Sequence, residues 1–367
     1  MKKVRLKLKK KNCLIAVGVL IFLIIEIINP SRIIAINKLQ SKGYSKNASK
    51  EIIRQGLKKK VLDMEFNEFL EVNIFDEAFD KDNIDIYSSI NNNKKVSLEL
   101  VNKLISKKYN ADEISLIIKS GDDSSIKELV NSSKYDNISD YLKYDYAKLM
   151  NLERYIAYKN ANGVSYEEAV TYVNIGLDKE FYSDYKEINE FSLTMLVNKY
   201  NKLSSDFVPN NLVKFEKEYC SSECPMDNEE VVKAFYEMAK AIREENLTIY
   251  VNSGYRSYQD QEEIYNEYTK LYGEKYDVAH AGFSEHQTGL TVDIGVKGGT
   301  FKGSKEESWL KNNSYKYGFI LRYDNSKVKI TGYNEPWHFR YVGKDIAKDI
   351  YEKGITFDEY YVKYLER

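Results

Sequence analysis

From residue 38 to residue 195 the sequence contains no proline, no histidine and no cysteine, so nothing there breaks helical periodicity and nothing offers an imidazole or a thiol. Lys, Asn, Ser, Asp, Ile and Tyr dominate the stretch. A weak internal echo runs through it: Gly43-Tyr44-Ser45 before Ile52-Ile53, Tyr109-Asn110 before Ile117-Ile118, and Gly163-Val164-Ser165 before Tyr172-Val173. Asn110 with Glu113 and Ser165 with Glu168 read as capping boxes, each followed by apolar residues at helical spacing. The pattern predicts short helical hairpins, serving as a stalk, a contact module or a plain spacer. The spacing of about 55 to 65 residues is irregular, so a solenoid is only one option.

Upstream, seven cations (Lys2, Lys3, Arg5, Lys7, Lys9, Lys10 and Lys11) precede an apolar run from Cys13 to Ile28 that only Glu26 interrupts. That charge order keeps the N-terminus in the cytoplasm and sends the rest across. The run is shorter than the roughly 20 residues of a comfortable span. No small-x-small cleavage site follows it, which favours an uncleaved anchor over a secretory signal. The expected location is the cell membrane, with residues after Pro30 outside; the alternative is a secreted protein. With 55 basic and 56 acidic side chains the chain has no basic domain to bind nucleic acid. Three cysteines make no disulfide scaffold, although Cys220 and Cys224 could pair with each other or stay free.

Leu196 to Val213, containing Pro209, reads as the start of a separate domain. From Asn228 the pattern alternates: helices at Val231 to Glu244, Gln259 to Leu271 and Glu306 to Tyr317, strands at Leu247 to Val251, Leu290 to Val296, Phe319 to Tyr323 and Trp337 to Val342, and a last helix capped by Thr356 with Glu359. The expected fold is α+β, a small antiparallel sheet with flanking helices. The chain then divides into a basic tail and anchor at 1–30, a helical region at 31–195 and a folded domain at 196–367. That domain is expected to fold and act alone from about residue 205.

All three histidines, 280, 286 and 338, lie in this last part. Three segments gather the unusual residues: Ser253-Gly254-Tyr255-Arg256-Ser257-Tyr258 with Gln261, Ser284-Glu285-His286-Gln287-Thr288-Gly289-Leu290-Thr291-Val292-Asp293, and Glu335-Pro336-Trp337-His338-Phe339-Arg340-Tyr341. Asp293 stands in an apolar strand, where a carboxylate costs several kcal/mol unless it faces water or holds a cation. His286, Asp293 and His338 make the three-ligand count of a catalytic zinc. Glu335, three residues before His338 with Pro336 between them, suits a base beside the metal. His280 has no partner at ligand spacing and reads as a loop residue.

These three segments, in this order and at this spacing, resemble the VanY-like D-alanyl-D-alanine carboxypeptidase family of zinc peptidases, whose fold is shared with the hedgehog signalling domain. The resemblance covers about Leu196 to Val342. It implies Zn2+ on His286, Asp293 and His338, Glu335 as general base, and Arg256 binding substrate and stabilising the transition state. It also implies substrate contacts at Gln261, Ser284 and Trp337. The implied reaction is hydrolysis of the terminal D-alanine from peptidoglycan stem peptides. An endopeptidase cutting crosslinks and a non-catalytic metal-containing wall-binding module are the alternatives. The resemblance implies nothing about the first 195 residues.

Overall fold

A computed structural model of the chain describes residues 30–273 and 278–366. The basic flank and apolar run read as an anchor lie outside the described residues, and no helix among the described residues is long and apolar enough to cross a membrane. The chain packs as two compact units, one ending at Leu152 and the second running from Glu153 to Arg367.

The described residues of the first unit are helices and turns without a strand. Short polar side chains start its helices: Ser45 accepts from the Ala48 N–H, Asn67 from Leu70, and Asn110 and Glu113 close a full capping box. Because the helices are short, propensity alone would not hold them, and packing must. Leu39, Ala48, Ile52, Val61, Leu70, Ile74 and Ile84 form one such core.

The second unit is built on a four-stranded antiparallel sheet in the order β1-β2-β4-β3, with β1 Tyr250–Ser253, β2 Thr291–Gly295, β3 Phe319–Tyr323 and β4 Glu335–Tyr341. Two smaller pairings accompany it, Lys186–Ile188 parallel to Asn201–Leu203 and Leu212–Lys214 antiparallel to Met226–Asn228. Helix α1, Glu229–Glu244, begins because the Asn228 side chain accepts from the Glu230 N–H. It buries Val231, Phe235, Met238 and Ile242 in one core with Val292, Ile294, Phe319 and Phe339 of the sheet. Each such apolar side chain contributes about 1.5–3 kcal/mol. Alternation along the strands then sends Asp293, Arg322, His338 and Arg340 to the other face. Further helices are α2 Tyr258–Tyr272, α3 Lys305–Asn313, α4 Lys344–Lys353 and α5 Phe357–Tyr360. Ile350 of α4 and Phe357 of α5 pack with Ile320 and Leu196.

Several expected bounds move for local reasons. The first strand starts at Tyr250 rather than Leu247, because Asn246 takes the left-handed φ of 60° and the Leu247 N–H closes back on the Ile242 carbonyl to end α1. The helix read as Glu306 to Tyr317 ends at Asn313 and continues as a 3₁₀ turn, Ser314–Tyr317. β4 starts at Glu335, so it contains Pro336 although it is a central strand. The register of β4 against β3 slips there: Leu321 pairs with Phe339 but Tyr323 with Glu335. This bulge leaves room for a residue that cannot donate to the ladder. Cys220 and Cys224 form a disulfide, resolving the alternative left open by their spacing.

Candidate metal centre and cleft

A cleft of about 380 Å3 is lined by all eight expected site residues: His286, Asp293, His338, Glu335, Arg256, Gln261, Ser284 and Trp337. Asp293 lies in register between Ser253 of β1 and His338 of β4, which brings strand-borne aspartate and histidine side by side. His286 comes from a 3₁₀ turn, Glu285–Thr288, whose first N–H groups are received by Ser284 and whose end is Gly289 at φ +66°. A side chain at Gly289 would be strained by that φ and would press on Pro209 and Leu212 at 3.0–3.1 Å. Glu335 and His338, three apart on a strand, should face opposite ways; the β4 bulge lets the Glu335 Oε2 reach within 3.3 Å of the His338 Nδ1.

Both imidazoles are oriented from behind. The Nδ1 of His286 lies 2.7 Å from the Gly254 carbonyl, leaving Nε2 to face the Asp293 Oδ2 at 3.3 Å. Gly254 has to be glycine, since a Cβ there would sit 2.5 Å from Asp227 and 2.6 Å from the Met226 carbonyl. The Nε2 of His338 lies 3.3 Å from the Glu285 Oε2, leaving Nδ1 to face Asp293 at 3.3 Å. Burial and the nearby Arg256 charge push His286 down to about 4. Burial also depresses His338, but the surrounding carboxylates of Asp293, Glu285 and Glu335 outweigh this and carry it to about 9. Burial alone would raise Asp293; the two imidazoles hold its carboxyl well below the usual range.

One ligand atom from each of His286, Asp293 and His338 falls within 4.8 Å of the others. The Asp293 Oδ1 and His338 Nδ1 are buried and make no hydrogen bond despite their closeness. A buried polar atom left unpaired costs about 1–3 kcal/mol, and a cation between them would satisfy both, so the donor set fits a metal ion.

Arg256 is three-quarters buried at its side chain, donates from Nη1 to the Gln261 Oε1 at 2.8 Å, and lies 3.9 Å from the Asp293 carboxylate. Gln261 donates in turn to the Ala279 carbonyl, so both ends of its amide are held by the protein. Ser284 is buried and receives the His286 N–H. Trp337 is 40% exposed at the cleft. His280 stays outside the cleft lining, stacked on Tyr182 with ring centroids 3.9 Å apart.

Sequence reading gave no role to Glu285, Arg322, Arg340 or Asp358, which are all buried around the back of His338. The signal was the same one that exposed Asp293: Arg322 and Arg340 are charges set in apolar strands. Tyr323 and Tyr333 also line the cleft without having been expected there.

Residues 226–344 match the family model described as VanY, D-alanyl-D-alanine carboxypeptidase. "Putative carboxypeptidase YodJ" of Bacillus subtilis is 36% identical over 207 residues, covering 51% of this chain and 76% of that protein. A D-alanyl-D-alanine carboxypeptidase of Enterococcus faecalis is 43% identical over 133 residues, covering 33% of this chain and 50% of the relative. Among solved structures, the LdcB LD-carboxypeptidase is 36% identical at a TM-score of 0.43, covering 49% of this chain and 94% of that one. A VanY mutant from a VanB-type resistance cassette, solved in complex with Zn(II), is 35% identical at a TM-score of 0.41, covering 47% and 99%.

Proposed function

The chain belongs to the VanY family of D-alanyl-D-alanine carboxypeptidases, and from that membership we propose that its second unit is a zinc metallocarboxypeptidase that removes the terminal D-alanine from peptidoglycan stem peptides. The observation that carries the reading is the cluster of His286, Asp293 and His338 ligand atoms, two of them buried and unpaired, in one cleft with Glu335 and Arg256. Two imidazoles and one carboxylate in a cleft open to substrate suit a catalytic zinc site. Bound there, zinc supplies Lewis acidity for the scissile carbonyl and makes an attacking water easier to deprotonate.

The protein's own side chains do the rest. Glu335, partly exposed in the cleft and beside the ligand atom of His338, takes the proton of the attacking water and returns it to the leaving D-alanine amine. Arg256 keeps its charge at any physiological pH and presents a planar fork, so it binds the terminal carboxylate of the stem or the developing oxyanion. Gln261 acts through Arg256, fixing the guanidinium with its amide oxygen. Trp337 offers an apolar surface to the stem peptide, and Ser284 holds the turn that carries His286.

The reading is tested by mass spectrometry of purified muropeptides incubated with the zinc-loaded protein. Loss of a single alanine from linear stems is the expected product. Cleavage of crosslinks without alanine release would make the protein an endopeptidase, and binding without any mass change would make it a wall-binding module. The cations before Cys13 support an extracellular placement with an N-terminal anchor. N-terminal sequencing of the mature protein tests that part, and a new terminus after Ile28 would replace the anchor with secretion.

A further inference from the structure

Behind the metal centre lies a closed set of four buried charges, Glu285, Asp358, Arg322 and Arg340. Glu285 accepts from the Arg322 Nε at 2.9 Å and the Arg340 Nη1 at 3.2 Å, both on its Oε1. Its Oε2 is left facing the His338 Nε2 at 3.3 Å. Arg322 spends its two remaining nitrogens on Asp358 of α5, Nη1 to Oδ2 at 2.6 Å and Nη2 to Oδ1 at 3.1 Å. The Asn198 side-chain amide donates to the same Asp358 at 2.8 Å. Arg340 has its other guanidinium nitrogens on the Leu193, Met195 and Tyr341 carbonyls. Arg322, Arg340 and Asp358 do not line the cleft, and Asp358 lies beyond the residues 226–344 that match the family.

The division of labour between the two oxygens of Glu285 has a cause. Arg322 carries more donors than Glu285 can receive while still serving His338, and a buried guanidinium N–H without an acceptor is costly. Asp358 takes the two outer nitrogens of Arg322 in a bidentate pair. Without it, Arg322 could compete for the Glu285 Oε2, the second oxygen of the carboxylate it already binds and the one that receives His338. We infer that Asp358 is a positioning residue for the metal ligand His338: by occupying Arg322 it reserves one Glu285 oxygen for the His338 Nε2, and so fixes the tautomer and aim of the Nδ1 that faces Asp293. This rests on the zinc reading of His286, Asp293 and His338. Partners one bond behind a metal-bound histidine are worth about 10–100-fold in metal affinity, and here the chain of contacts is one step longer.

The test is zinc affinity of the full chain, measured by competition with a chromophoric chelator, together with the melting temperature read from tryptophan fluorescence. Both tryptophans, Trp309 and Trp337, lie in the second unit. Asp358→Asn is expected to weaken zinc binding by about 10-fold or more, and Asp358→Glu to recover most of it. Ile350→Ala is the control, a cavity in the apolar cluster that holds Phe357, made by a side chain with no polar atom to bond any of the four charges; it should lower the melting temperature while zinc affinity stays within about twofold. Wild-type zinc affinity in folded Asp358→Asn overturns the inference, as does an equal loss in Ile350→Ala. If Asp358→Asn does not fold, Asn198→Ala keeps all four charges and loosens Asp358, while also removing the acceptor of the Tyr200 N–H and the Asn201 amide. A loss of about threefold or more then supports the inference and an unchanged affinity overturns it. Failure of the wild-type protein to bind zinc at all would instead strike the underlying metal reading.

Discussion

The ion pairs of the two units differ most in how deeply they are buried. Both hold pairs that sit in water, such as Lys103 with Glu99 in the first, whose side chains are 52% and 71% exposed, and Lys344 with Glu237 in the second, at 57% and 58%. In the second, Arg322 and Glu285 are paired at 0% exposure for both, and Arg340 joins them. Exposed pairs are nearly free to make and to break, whereas buried ones cost desolvation that is recovered only through good geometry. A fold that needs only stability has little reason to bury four charges. The second unit buries them where they orient a histidine of the candidate metal centre, so the contrast in burial marks where chemistry is expected.

The sharpest way to break the comparison is to cut the chain. Arg340 gives hydrogen bonds to the Leu193 and Met195 carbonyls, Asn198 holds Asp358, and Met195, Leu196, Val197 and Leu203 are buried in the second unit. A protein beginning at Glu153 should fold, bind zinc and release D-alanine like the full chain. One beginning at Ser205, the start that sequence reading favoured, strips acceptors from buried charges and should lose activity altogether. D-alanine release from the two truncated proteins decides it, and full activity in the shorter one would show that residues 153–204 are dispensable packing.

Next in size are the site variants themselves. Glu335→Gln keeps shape and removes the proposed proton acceptor, so zinc should remain near one per chain while turnover falls by about 100- to 10,000-fold. His338→Ala removes a proposed ligand and should lose both zinc and activity. Zinc content and D-alanine release measured side by side separate base from ligand. Near-normal turnover in Glu335→Gln would refute the mechanism.

How much of this was readable beforehand follows from the same contrast. Asp293 announced itself because a carboxylate is out of place among Leu290, Val292 and Ile294, and the scarcity of histidine drew attention to His286 and His338. Capping boxes at Asn110, Ser165 and Thr356 were readable because they are local, four residues written in sequence order. The Glu285 network was not, because its members are separated by 36, 37 and 55 residues and meet only through strand register and the docking of α5. The bulge that turns Glu335 toward His338 was half readable: Pro336 hinted at an irregular strand, but only the pairing with β3 shows which residues slip. The helical appearance of residues 153–175 likewise concealed that they pack with the second unit rather than the first.

A direct measure of the charge contrast is to delete one cation from each unit. Arg322→Ala leaves Asp358 and part of Glu285 buried without their partner and should cost about 3–5 kcal/mol, seen as an earlier denaturant midpoint of tryptophan fluorescence. Lys103→Ala removes half of an exposed pair in the first unit and should leave the helical circular dichroism melt unchanged. Comparable losses in the two variants would mean that burial does not distinguish the units as argued.

The smallest expected effects come from the helix caps, and they sharpen the comparison most finely because the same motif occurs in both units. Asn110 and Glu113 form a capping box in the first; Ser257 and Asp260 form one at the head of α2 in the second. Removing either cap side chain, Asn110→Ala or Ser257→Ala, should cost about 0.5–2 kcal/mol, since each leaves one helix N–H unsatisfied. Their consequences for catalysis should differ. Ser257 follows Arg256 directly, and the helix it caps carries Gln261, whose amide oxygen receives the Arg256 guanidinium at 2.8 Å. A frayed first turn there loosens the group proposed to hold the substrate, so KM should rise several-fold, by about one hydrogen bond's worth of binding, while zinc affinity stays unchanged. Asn110→Ala should leave KM, turnover and zinc binding as they are. If both variants lose the same stability and neither changes KM, the Arg256 position does not depend on the start of α2, and Gln261 must hold it unaided.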